Sequence, residues 1–141
     1  MRDFLKHQLR YPQLLLLKLS YYFFRIFRGF LKELNWVIGV DEIAKMIWLL
    51  KDLLNNSYTV SLNNNPFYTL DYNCHNNFSN RILAILFRAF CAPIILGFLM
   101  NKSNKFFYIW KTGFLVDREL EFRFLKAKEK KIICMFVGSD I

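Results

Sequence analysis

The chain has 141 residues, of which 55% are hydrophobic and 18% aromatic, and it carries a formal charge of +9. That much apolar side chain collapses, which excludes a disordered chain, and 5 Gly with 3 Pro exclude a collagen-like or linker-like one. Three widely spaced cysteines, Cys74, Cys91 and Cys134, exclude a disulfide scaffold and read as free thiols of a reducing compartment.

Of the charge, +6 falls within residues 1–32 and +3 on the remainder. A basic globular body is therefore not implied, which argues against a nucleic-acid partner. The division expected is an N-terminal arm over 1–34 and a domain over 35–141.

In the arm, residues 12–34 read PQLLLLKLSYYFFRIFRGFLKEL. Pro12 suits the first turn of a helix, where its missing N–H is not needed. On a continuous helix, Lys18, Arg25, Arg28 and Lys32 fall within an arc of roughly 80°, and nearly everything else is Leu, Tyr, Phe or Ile. Lys18 and Arg25 interrupt the apolar run that a spanning helix needs. No small-residue cleavage site marks a signal peptide. The composition fits an amphipathic helix lying in a membrane surface, with those four cations at anionic headgroups, each contributing about 1 kcal/mol. A core helix of the domain is the other reading.

From Asn35 onward strands and helices alternate. Residues 36–40 (WVIGV) form a strand-like run. Asp41 is an N-cap, and Ile43, Met46, Ile47, Leu50 and Leu54 keep a helical spacing. A second strand is expected over 58–62, followed by a polar loop over 63–77. Ser79 or Asn80 caps a helix reaching about Met100, with Pro93 kinking or dividing it. Strands at 106–110 and 132–137 flank a charged helix over 115–130, in which Glu119 and Arg123 form an i, i+4 pair.

Apolar strands separated by helices predict an α/β fold, with a Rossmann-like parallel sheet covered by flanking helices. Ligands of such sheets sit beyond the carboxyl ends of the strands. Residues 82–100 are apolar except for Arg88 and would also suit a spanning helix; the alternation around them favours a buried crossover helix.

No glycine-rich phosphate loop occurs. Cys74-His75 lacks the second pair that a tetrahedral metal site needs, so no metal is expected, and no Ser/His/Asp set has recognisable spacing. Three Asn-x-Ser sequons are expected by chance in an Asn-rich chain.

The stretch FFYIWKTGFLVDRELEFRFLKAKEKKIICMFVGSDI (106–141) resembles the N-terminal domain of GT-B-fold bacterial glycosyltransferases that build surface polysaccharide. Many carry an F-H-G-S-D-I-R-like sequence, matched here by Phe136, Gly138, Ser139, Asp140 and Ile141, with Val137 in place of the His. NWVIGVDEIAKMIWLL (35–50) is similar to their first strand and helix.

The resemblance implies two Rossmann-like domains, an acceptor-binding one first and a nucleotide-sugar-binding one second. It places Gly39, Glu42, Thr112, Gly113, Gly138 and Ser139 on the acceptor side, with Asp140 or Asp41 orienting or deprotonating an acceptor hydroxyl. It implies no cofactor.

The expectation is an incomplete GT-B N-terminal domain, cytoplasmic and peripheral to the inner face of the plasma membrane. Its partners would be an anionic membrane surface and a sugar acceptor, with a nucleotide-sugar only if a second domain is supplied. Without that domain it would be inactive. The alternatives are a small non-enzymatic membrane protein with helices near 14–34 and 82–100, and a soluble binding module whose arm engages a partner.

Overall fold

The structure, a computed structural model, describes residues 2–40, 46–62, 72–75, 79–109 and 113–135. Its elements are α1 (Arg2–Arg25), β1 (Trp36–Val40), α2 (Met46–Leu53), β2 (Ser57–Ser61), β3 (Cys74–His75), α3 (Arg81–Leu86), α4 (Ala92–Met100), β4 (Lys105–Ile109), α5 (Arg118–Ala127) and β5 (Lys131–Met135). The strands form one five-stranded sheet in the order β3-β2-β1-β4-β5, and every pairing is parallel. This is a Rossmann-like α/β arrangement, in which the strand order reverses between β1 and β4.

Alternation along the strands sends side chains to two cores. Val37, Phe106 and Tyr108 meet Leu17 and Tyr21 of α1, Leu96 and Leu99 of α4, and Phe124 and Leu125 of α5. Ile38 and Ile109 meet Ile47 of α2 on the opposite face.

Pro12 lies inside α1 rather than opening it. The ring is exposed, so the hydrogen bond it breaks faces solvent and the helix runs through. The helix stops at Arg25 and gives way to a 3-10 turn at Arg28–Phe30 around Gly29, a poor helix former. The four predicted cations therefore share no single helical arc: Lys18 and Arg25 are exposed on α1, Arg28 in the turn and Lys32 in the loop beyond. Two backbone bonds then steer the chain into β1, from Leu34 N–H to the Lys102 carbonyl (2.7 Å) and from Asn35 N–H to the Asn56 carbonyl (2.9 Å).

α1 and α4 run parallel and very close. A Cβ on Gly97 would overlap the Ser20 hydroxyl and lie 2.8 Å from the Tyr21 backbone nitrogen, so only glycine permits this approach. Asn101 fastens the same crossing by donating to the carbonyls of Tyr21 and Gly97, both at 3.0 Å.

The crossover helix is capped by Asn80, whose side chain accepts from Ile82 N–H at 2.9 Å. It makes one π turn at Phe87–Cys91 just before Pro93. β3 was not expected from the sequence. It is tied to β2 by Asn73, whose side-chain oxygen accepts from the Thr59 N–H (3.0 Å) and hydroxyl (3.1 Å). α5 begins later than its periodicity suggested, at the Asp117 cap, which leaves Leu115 and Val116 in the preceding loop. The expected Glu119–Arg123 pair is present at 2.6 Å.

Candidate functional site at the carboxyl edge of the sheet

The strand order reverses between β1 and β4, and parallel sheets of this order bind ligands beyond the carboxyl ends of such strands. Of the residues expected there, Gly39 and Gly113 are described; Asp41, Glu42, Thr112, Gly138, Ser139 and Asp140 lie outside the described residues. Gly39 is in register with Tyr108 of β4. It packs against β2, with a Cβ there lying 3.2 Å from the Val60 carbonyl oxygen.

Tyr108 belongs to a buried polar group absent from the sequence expectations. Glu121, on α5, is fully buried. Its Oε1 accepts from the Leu115 N–H at 2.7 Å, and its Oε2 accepts a short hydrogen bond from the Tyr108 hydroxyl. Gly113 explains itself here: a Cβ would lie 2.6 Å from Oε1 and 2.9 Å from Oε2. The glycine makes room for a carboxylate.

Burial pushes the Glu121 carboxyl up to about 7, against the opposing pull of Tyr108, the Leu115 and Phe114 N–H groups and the Arg118 charge. Burial and the neighbouring Glu121 also push the Tyr108 hydroxyl well above its ordinary value. A buried, fully donated carboxylate cannot reach a substrate. What it does is fix the backbone of Phe114 and Leu115, ahead of α5. The signal for it was present: Glu121, Phe124 and Leu125 follow the i, i+3, i+4 spacing of a buried face.

A second missed residue is Gln13 of α1, also buried. It donates to the Ala89 carbonyl at 3.0 Å and accepts from the Val116 N–H at 2.8 Å, joining α1, the π turn and the loop before α5.

Cys74 and His75 lie on β3 at the sheet edge. Burial raises the Cys74 thiol and lowers His75. Among the described residues no group of three His, Cys, Asp or Glu comes together to hold a metal ion. The chain matches no protein-family model, no curated protein and no solved structure.

Proposed function

We propose that the chain is the acceptor-binding, Rossmann-like part of a sugar transferase of GT-B type, working at a membrane surface. One observation carries the reading. The two stretches that resemble such enzymes form β1 with α2 and β4 with β5, and β1 and β4 are hydrogen-bonded neighbours at the reversal of strand order. An acceptor would enter beyond their carboxyl ends, toward Asp41 and Asp140. A second Rossmann-like unit would bring the nucleotide-sugar.

The membrane part of the reading is supported by α1. Its packed side holds Gln13, Leu17, Ser20 and Tyr21. At 100° per residue its opposite side holds Tyr11, Leu15, Leu19 and Tyr22, all exposed, and Ile26 in the turn just beyond is exposed by 76%. α3, which leads through the π turn into α4, exposes Ile82, Leu83, Ile85 and Leu86. Lys18 and Arg25 border one side of the α1 stripe, where an in-plane helix places cations at headgroups.

Calorimetric titration of the purified chain with a lipid-linked saccharide, and separately with nucleotide-sugars, tests the assignment. Saccharide binding without nucleotide-sugar binding is expected. Nucleotide-sugar binding alone would reverse it.

One observation favours the second reading, a non-enzymatic membrane protein. Among the described residues one helix, Arg81–Met100, is long and apolar enough to cross a bilayer, with mean hydropathy 2.4. A core helix meets the same criteria, and the α4 half of this one is largely buried. Carbonate extraction separates the two: release supports the peripheral reading, retention the spanning one.

A further inference from the structure

At the amino edge of the sheet, a cleft of about 680 Å³ opens between the ends of α1 and α5 and the starts of β4 and β5. Six of its lining residues are cations: Arg25, Arg28, Lys105, Lys128, Lys130 and Lys131; the acid among them is Glu129. Among the described residues no carboxylate lies within ion-pairing distance of any of the six.

Local structure accounts for part of this cluster. Cations at helix carboxyl termini complement the helix dipole, which suits Arg25 and Lys128. Lys128 also donates to the Tyr22 hydroxyl at 2.8 Å and sits over the Tyr21 and Tyr22 rings at 5.2 and 4.9 Å.

Lys105 also has a ring partner, Trp36 at 5.2 Å, but nothing of this kind explains why Lys105 and Lys131 stand side by side. They open neighbouring strands and stand directly in register, where like charges destabilise a sheet. Glu129, in the left-handed region at φ 60°, turns the chain so that Lys130 and Lys131 return to the same cleft. There Lys130 donates to the Asn104 side-chain oxygen at 2.8 Å. The amine of Lys130 is pushed down to about 8, by burial first and then by the Arg28 charge. The chain thus holds like charges together at a cost that a bound polyanion would remove.

We propose that this cleft binds a lipid headgroup carrying two or more phosphates. Charge selects the phosphates, and the volume exceeds what a single phosphate fills. Position selects a lipid over a free phosphate. Arg25 and Arg28 alternate with Phe23, Ile26, Phe27 and Phe30, all exposed, Phe30 by 89%, so the cleft adjoins the stripe assigned above to the bilayer. The inference rests on that membrane-surface reading.

The test is cosedimentation of the full chain with three vesicles. One is phosphatidylcholine alone, one adds phosphatidylinositol bisphosphate, and one adds phosphatidylglycerol to the same total charge. The expected result is about tenfold or tighter binding to the bisphosphate vesicles than to the charge-matched ones. Lys105→Gln with Lys131→Gln should abolish that preference and leave binding to phosphatidylcholine unchanged. The same double variant should be as thermally stable as the parent or more so without lipid, because it loses a repulsive pair.

Equal binding to the two anionic vesicles, or a preference that survives the double variant, overturns the proposal. So does soluble inositol trisphosphate binding as tightly as the vesicles, or an oligonucleotide binding more tightly. Binding to phosphatidylcholine without a phosphate preference overturns this inference and leaves the membrane reading standing; failure to bind any vesicle overturns both.

Discussion

The side chain of Gln13 donates to the carbonyl of Ala89 at 3.0 Å and reaches that of Arg88 at 3.5 Å, in the π turn before Pro93, whose missing N–H leaves a carbonyl there without a helical donor. One residue of α1 repairs a hydrogen bond that a proline removes from the crossover helix. Its other end takes the Val116 N–H. Gln13→Ala should therefore cost about 2–4 kcal/mol, since two buried backbone groups lose partners. Pro93→Ala restores an N–H to position 93 and should recover part of that loss. Urea denaturation of the two single variants and the double variant measures the coupling; strictly additive losses would contradict the repair.

Gly97→Ala tests the close crossing of α1 and α4. The new methyl meets the backbone of Tyr21, which cannot swing aside as a long side chain can. A loss of about 1–3 kcal/mol is expected. Calorimetry on the variant decides, and an unchanged melting temperature would mean the helices separate freely.

Glu121 gives the fold a pH dependence of known sign. Its carboxyl is raised in the fold to about 7 from an ordinary 4.5. The folded chain therefore holds the proton more tightly than the unfolded chain between those values. The stabilising contribution is full below about 4.5 and is lost as pH rises toward 7. In Glu121→Gln this component of the pH profile should vanish. Chemical denaturation of both proteins across that range provides the comparison, and parallel profiles would reject the assignment.

Removing the Tyr108 hydroxyl should leave Glu121 short of a donor. Tyr108→Phe is expected to cost about 1–3 kcal/mol and to move the pH-dependent loss of stability upward, because a force holding the carboxyl down is gone. Gly113→Ala crowds the same carboxylate from the other side and should destabilise without that shift in pH. The pair separates a hydrogen-bonding defect from a steric one.

Leu19→Ser combined with Ile26→Ser removes two exposed apolar side chains, one from the outer stripe of α1 and one from the turn just beyond it. Folding stability should change by less than about 0.5 kcal/mol. Vesicle binding should weaken about tenfold or more, because the buried apolar area lost is large. Undiminished binding would take the stripe out of the membrane contact.

Most of the sheet was legible because its signals are local. β1, β2, β4 and β5 are apolar runs between helical spacings, and period and order suffice to place them. β3 escaped because its pairing depends on Asn73 and Thr59, a side-chain tie without periodicity. The start of α1 escaped because Pro12 acts as a boundary only when its broken bond is buried. The spacing of Glu121, Phe124 and Leu125 marks a buried face, but the donors around Glu121 were hidden. Two of its donors are backbone N–H groups, which no residue type announces, and the third, Tyr108, lies on a different element. Gly113 was expected on the acceptor side; the role the structure gives it is steric, beside the Glu121 carboxylate.

The parallel seating of α1 on α4 also orders events in time. The nearer residue that closes on Gln13, Ala89, follows it by 76 positions, and at ordinary synthesis rates it emerges roughly 4–15 s later. Through that interval both greasy sides of α1 are bare. A nascent chain in that condition needs a holding surface before it has a fold. If a lipid surface is that holder, the membrane meets α1 first and the sheet assembles against an already anchored helix.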